Sequence, residues 1–169
     1  MKCYLCEATS FIERKGTVRD APLMKILECS SCGLVTLEKR EHINSEFYKN
    51  SGMHGQNPNT LEFWLKETDW DDQRRFLMFK EKIVNKKILD FGCGAAGFLN
   101  KINKISSYAA GIEVEDRVRK FWKDKMDLFP SIEDCITKGN RKFDLITSFH
   151  VFEHLIDPRK VLTSFLNIL

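Results

Sequence analysis

The amino-acid sequence predicts an α/β protein, a Rossmann-like parallel sheet preceded by a small cysteine-rich module. Three observations carry this expectation. Residues 88–99 read Ile-Leu-Asp-Phe-Gly-Cys-Gly-Ala-Ala-Gly-Phe-Leu, an apolar strand, a glycine turn and a helix start in sequence. Ala109-Ala110-Gly111-Ile112-Glu113-Val114 supplies a second short strand, and Glu113 falls 21 residues after Gly92, where the second strand of a βαβ unit should end. Four of the six cysteines form two pairs, Cys3-x-x-Cys6 and Cys29-x-x-Cys32, with 22 residues between them.

The N-terminal module comes first, over residues 1–37. Two Cys-x-x-Cys knuckles at this separation present four thiolates for one tetrahedral zinc. Gly33 directly follows the second knuckle, where a tight turn brings backbone amides toward sulfur. The β-prone patches between Thr9 and Leu27, with a turn at Gly16, suffice for a hairpin, so the module reads as a zinc ribbon. A disulfide pairing conflicts with the absence of a secretion signal, and nothing thioredoxin-like surrounds either pair. Cys93 and Cys135 read as ordinary small residues of the fold.

Residues 38–60 are polar and turn-rich and predict a loop or linker; Tyr48 and His54 within it are candidates for a lid over a ligand pocket. Residues 60–84 carry apolar side chains at helical spacing. Arg74 and Arg75 on that helix read as surface or salt-bridge residues. From there the expected order is strand 87–91, helix 96–105, strand 108–114, helix 115–126, a weak strand near Leu128-Phe129, a turn with Ser131, strand 142–149 and helix 158–168. Asp157 is the expected cap of the last helix and Pro158 its first turn. Strands alternating with helices give a parallel sheet covered on both faces.

The turn at Gly92 and Gly94 marks a nucleotide-like cofactor site, because glycine has no Cβ to hold a ligand off the backbone amides. The spacing Gly92-x-Gly94-x-x-Gly97 also satisfies the dinucleotide fingerprint, so spacing alone admits NAD. Asp90 argues otherwise. A carboxylate directly before the turn repels a pyrophosphate and suits a cofactor carrying an ammonium group, such as S-adenosylmethionine. Glu113 is placed to accept both hydroxyls of a ribose.

At these residues the chain resembles the class I S-adenosylmethionine-dependent methyltransferases. Asp90, Gly92 and Gly94 match their acid-x-Gly-x-Gly-x-Gly motif, whereas the third glycine position is Ala96, with glycine displaced to Gly97. Lys142 to Phe149 followed by His150-Val151-Phe152-Glu153-His154-Leu155-Ile156-Asp157-Pro158 resembles the fourth-strand region of that superfamily, notably its sugar- and small-molecule-modifying branch. Zinc-bearing N-terminal modules occur in some sugar methyltransferases, which adds to the likeness. The resemblance covers roughly residues 70 to 169. It implies an S-adenosylmethionine cleft built from Asp90, Phe91, Gly92, Cys93, Gly94, Glu113, Val114, Ser131 and Phe149, and a structural zinc on Cys3, Cys6, Cys29 and Cys32.

His150, Glu153 and His154 follow the fourth strand at its C-terminal end, where open α/β sheets bind ligands. On a helical turn, positions i, i+3 and i+4 share one face. Either histidine is then a candidate base for an acceptor hydroxyl, with Glu153 orienting the imidazole or binding substrate. The same three side chains are also suitable ligands for a divalent metal, or structural ties of the loop to the core.

Composition narrows the function classes. Hydrophobic content is 43%, and no apolar run approaches the ~20 residues of a membrane span. The net charge of +3 is spread over 27 basic and 24 acidic residues without a basic block, so nucleic acid is not implied. The start, Met-Lys-Cys-Tyr-Leu-Cys, lacks the apolar core of a signal peptide, which makes the cytoplasm the expected compartment. The leading expectation is a methyltransferase acting on a small polar acceptor, a sugar or sugar-linked group, at oxygen. An RNA methyltransferase with the ribbon as reader, a cofactor-binding fragment without turnover, and an NAD-dependent oxidoreductase are the alternatives. Methyltransferases of this class have seven strands in the order 3-2-1-4-5-7-6, and only strands 1 to 4 are visible before Leu169. A truncated core with strand 4 as an exposed edge, and self-association through that edge, are therefore expected.

Overall fold

The computed structural model describes residues 1–19, 21–39, 48–49, 60–139 and 141–169. Among these residues two sheets form. The N-terminal one is antiparallel, with β1 (Phe11–Arg14), β2 (Ile26–Cys29) and β3 (Val35–Leu37) in the order β1-β2-β3. Phe11 stands opposite Cys29, and Ile26 opposite Leu37.

The long helix α1 (Leu61–Ile83) leads into the second sheet; Thr60 caps it by accepting the Phe63 N–H at 3.3 Å. Then follow β4 (Lys87–Phe91), α2 (Gly97–Ile102), β5 (Tyr108–Ile112), α3 (Asp116–Trp122), β6 (Asp127–Phe129), the short turn α4 (Ile132–Asp134), β7 (Leu145–Thr147) and α5 (Pro158–Phe165). All pairings are parallel and the strand order is β6-β5-β4-β7. In sequence numbering of the sheet alone this is 3-2-1-4, the expected half of the methyltransferase order.

Side-chain alternation divides the core between the two faces. Ile88 and Ala109 pack with α1, α2 and α3 through Ile83, Phe98, Leu99, Ile102, Val118 and Trp122. Leu89, Phe91, Ala110 and Ile112 pack on the other face with Ile132, Cys135, Phe143, Phe165 and Ile168. Both strands are apolar on both sides, as parallel strands covered by helices should be.

Several elements are shorter than their sequence signals, each for a visible reason. The helix expected over 96–105 begins at Gly97 because Ala96 is left-handed, with φ 63°. Strand 142–149 contracts to Leu145–Thr147. Its leading residues turn aside, the Phe143 N–H to the Ile168 carbonyl at 2.7 Å and the Asp144 N–H to the Lys87 carbonyl at 2.8 Å. The helix expected over 115–126 stops at Trp122, whose indole N–H donates to the Ala95 carbonyl at 2.9 Å, and Lys125 closes the turn onto the Trp122 carbonyl. Asp157 caps α5, accepting the Lys160 N–H at 3.0 Å, with Pro158 in the first turn as expected. No helix among the described residues is long and apolar enough to cross a membrane.

Gly111 shows how tightly the centre is filled. A methyl there would lie 2.7 Å from Cys93 Sγ, 2.7 Å from Leu128 Cδ2 and 2.8 Å from Leu99 Cδ2. Gly111→Ala is expected to cost about 1–3 kcal/mol of stability, the usual penalty of overpacking. Thermal unfolding measures it, and an unchanged or raised Tm would show that this part of the core yields.

Candidate active site

The strand order reverses between β4 and β7, because the chain runs outward through β5 and β6 and then returns to the other side of β4. Ligands of open α/β sheets bind at such a switch point, outside the C-terminal strand ends. A cleft of about 650 Å³ occupies that position. It is lined by the residues after β4 (Phe91 to Ala95), after β5 (Ile112 to Glu115), after β6 (Pro130 to Glu133) and after β7 (Phe149 to Val151).

The turn after β4 is held by β5. The Gly92 and Cys93 N–H groups both donate to the Ile112 carbonyl, at 2.9 and 3.0 Å, and the Gly94 N–H donates to Glu113 Oε2 at 2.9 Å. These three amides are therefore committed within the protein, so the expectation that they lie bare toward a ligand needs correction. The glycines serve conformation and closeness instead. Gly92 and Gly94 have φ of 74° and 55°, and a Cβ on Gly92 would stand 2.3 Å from Val151 Cγ2. Ala96 also adopts positive φ, which explains why the family motif carries glycine there. The strain of a left-handed alanine, about 1–2 kcal/mol, is offset in part by its fully buried methyl, about 0.8 kcal/mol.

Glu113 is the best-defined acid of the cleft. Oε2 accepts the Gly94 N–H and Oε1 accepts the Glu115 N–H, each at 2.9 Å. Burial raises its carboxyl to about 7, against the Gly94 and Val114 amides and the Arg119 charge, which favour ionisation. Asp90 lies deeper. It is 3% exposed, accepts the Thr147 hydroxyl at 2.8 Å, and is pushed up to about 7 by burial, with Thr147 and Arg75 opposing that shift. Both acids lower the stability of the ligand-free fold as pH rises. The neutral carboxyl that folding favours is fully present below the ordinary carboxylate range and lost through about pH 7.

Of the residues expected to build the site, Phe91, Gly92, Cys93, Gly94, Glu113, Val114, Ser131, Phe149, His150 and His154 line the cleft, whereas Asp90 and Glu153 do not. Ser131 lines it while capping α4, accepting the Asp134 N–H at 3.0 Å. Burial drives the Cys93 thiol well above its ordinary value, which keeps it neutral.

The expected helical face of His150, Glu153 and His154 is not formed. Only Phe152–His154 makes a 3₁₀ turn, and His150 stands before it with φ 55°. His150 Nδ1 still approaches Glu153 Oε1 at 3.6 Å. His154 turns the other way, its Nδ1 2.9 Å from the Tyr48 hydroxyl. Tyr48 lines the cleft, while His54, the other residue named for a lid, lies outside the described residues.

Helix α1 supplies cleft residues that sequence reasoning passed over. Trp64, Thr68, Asp71, Asp72 and Arg75 form one wall. Arg75, expected at the surface, pairs with Asp71 and lies 4.6 Å over the Phe149 ring, with its side chain 17% exposed. Asp72 is 5% exposed, accepts the Thr68 hydroxyl at 3.0 Å, and is raised by burial. A Cβ on Gly97 would lie 2.2 Å from its Oδ2. A signal was available: Thr68, Asp72 and Arg75 interrupt the apolar stripe that faces the core, and polar residues at such positions mark a site or a network.

The methyltransferase domain family model matches residues 59–169. The chain belongs to this family. Among curated proteins, the ubiquinone biosynthesis O-methyltransferase of Vibrio atlanticus (strain LGP32) is 24% identical over 140 residues, which is 76% of this chain and 54% of that protein. Among solved structures, the plantazolicin methyltransferase BpumL in complex with SAH superposes with a TM-score of 0.52 and 19% identity, over 77% of this chain and 56% of its own. This likeness is one of fold. The chain spans about half the length of these relatives.

In the N-terminal module, the Sγ atoms of Cys3, Cys6, Cys29 and Cys32 all lie within 4.8 Å of one another. The Cys3–Cys32 and Cys6–Cys29 separations are 3.7 and 3.5 Å. Thiolates on a tetrahedral zinc with bonds of about 2.3 Å stand about 3.8 Å apart, so the set fits. The two knuckles repeat one geometry. The N–H after each second cysteine donates to the carbonyl of the first, Glu7 to Cys3 at 2.8 Å and Gly33 to Cys29 at 2.9 Å, and both residues have positive φ, 65° and 74°. The Cys6 N–H lowers the Cys3 thiol to about 6, and the Cys32 N–H holds the Cys29 thiol below its ordinary value.

If Glu113 receives ribose hydroxyls, Glu113→Ala should weaken S-adenosylmethionine binding ten- to a hundredfold, from a loss of about 1.5–3 kcal/mol for a charge-assisted hydrogen bond. Only the ionised carboxylate accepts both hydroxyls. Affinity in calorimetry should therefore rise from pH 6 to pH 8, through the raised value of about 7, and Glu113→Gln should flatten the rise. A pH-independent wild type would remove Glu113 from this role.

Proposed function

We propose that the cleft binds S-adenosylmethionine and that the protein transfers methyl to a small polar acceptor, a sugar or sugar-linked group, at oxygen. The observation that carries this reading is Glu113, an acid at the switch point of a methyltransferase-family sheet, locked by the Gly94 and Glu115 amides beside an open cleft. When bound, the cofactor supplies a methyl group on a sulfonium centre. The run from His150 to Pro158 supports the acceptor class, and the O-methyltransferase relative supports transfer to oxygen.

The chain's own residues have separable tasks. Glu113 holds the ribose. Asp71, Asp72, Glu113 and Glu115 give the lining an acidic character, which favours a cationic cofactor over a product that has lost its positive charge. His150 takes the acceptor proton at a ring nitrogen, with Glu153 at 3.6 Å orienting the imidazole. Its left-handed backbone fits a residue held for function, since such strain persists where surroundings enforce it. His154 and Tyr48 close the cleft beside it. Cys3, Cys6, Cys29 and Cys32 bind one structural zinc in a module of residues 1–37, followed by a connector to residue 60 and the cofactor domain from 61, all working in the cytoplasm, where thiols stay reduced.

Calorimetry with S-adenosylmethionine and with NADH tests the cofactor, and binding of NADH alone would sink the reading. In methyl-transfer assays with sugar acceptors, His150→Ala should lower kcat about 10²–10⁴-fold with cofactor affinity retained. Glu153→Gln should lower it less and move the pH profile. Cofactor binding without turnover on any acceptor would mark a binding protein instead.

Metal analysis should find about one zinc per chain, and Cys29→Ser should lower that value and unfold the N-terminal module, because zinc affinity and folding are linked. A metal-free wild type with the module intact would exclude the zinc.

A further inference from the structure

The inner side of α1 is committed to the core and the cleft, yet its outer side is also apolar along one line. Phe63, Trp70, Leu77 and Val84 are 47%, 71%, 63% and 42% exposed. They recur every seven residues; Phe63, Trp70 and Leu77 stack every second turn along about 21 Å of helix, and Val84, the C-cap residue, follows at its end. A monomer has no use for four large apolar side chains in a row on solvent.

The charges between them point to what covers the line. Exposed Lys66 and Glu67 fill the first interval and exposed Lys80 and Glu81 the third, with Gln73 and Arg74 in the middle. We propose that α1 packs antiparallel against α1 of a second copy of this chain, about a two-fold axis passing between Gln73 and Arg74. In that register Phe63 meets Val84 of the second copy and Trp70 meets Leu77. Lys66 faces Glu81 and Glu67 faces Lys80. The two-fold repeats each contact, so Lys66, Glu67, Lys80 and Glu81 each meet an opposite charge. A parallel alignment in register would set each of these charges against its own kind. Arg74 at the axis is paired with Asp71 of its own chain, at 2.6 Å, a carboxylate it shares with Arg75.

This surface is distinct from the edge strand β7, which offers three residues for pairing, and short edges are poor templates. It also lies on the helix that walls the cleft, so dimerisation would brace Trp64, Thr68 and Arg75 from behind.

Sedimentation of the full chain at micromolar concentration tests the proposal. Wild type is expected as a dimer, and Trp70→Ala should weaken it about thirtyfold or more, as central aromatic contacts do. Glu67→Lys and Lys80→Glu should each weaken self-association roughly tenfold, since each sets like charges against each other at two symmetry-related places. Mixed in equal amounts the two variants should associate again, because each substituted position then meets an opposite charge. The weakening of each single variant is what separates the antiparallel register from a parallel one, in which like charges already face each other in the wild type. Circular dichroism confirms that these surface variants fold. A monomeric wild type, a dimer indifferent to all three substitutions, as β7 pairing would give, or a mixture that stays monomeric would each overturn it.

Discussion

The architecture of the cleft depends on a set of hydrogen bonds between the turn after β4 and the end of β5. Gly92 and Cys93 share the Ile112 carbonyl, and Gly94 holds the Glu113 carboxylate. These bonds fix the loop of one strand to the acid of the next. They require positive φ at Gly92 and Gly94 and a side-chain-free approach at Gly92, where Val151 closes in from β7. Three strands thereby meet at one point. The cleft is what remains between them.

Around that point the protein places acids in a setting that disfavours their charge. Asp90 under the turn and Glu113 beside it are both raised to about 7 by burial, and Asp72 on α1 is raised as well. Hydroxyl and amide donors from Thr147, Gly94 and Thr68 moderate the cost without removing it. Such a site is poised for a ligand that brings positive charge, which returns the carboxylates to their ionised form.

The N-terminal module solves a different problem. Its three short strands place few side chains in a core, since β1 and β3 contain no buried residue. Cys3 and Cys29, at 2% and 1% exposed, are its most enclosed groups. Small domains of this kind need a cross-link or a metal to hold together, and two knuckles of matching backbone geometry converge four sulfurs to the spacing that a zinc ion requires.

Much was legible in the sequence because it is written in local periodicity. The apolar run at 87–91, the glycine turn, the acid at 113, the paired cysteines and the Asp157-Pro158 cap each depend on neighbours a few residues away. The parallel sheet and its half of the methyltransferase strand order follow from their succession. What only the tertiary structure decided involves residues far apart. The turn amides face β5 rather than open space because Ile112 and Glu113 arrive there. His150 and His154 part company because one is left-handed and the other meets Tyr48 from 106 residues away. Arg75 leaves the surface because Phe149 lies beneath it. Helical spacing records which side chains share a face, whereas the partner that face meets is set by packing between elements that sequence spacing does not encode.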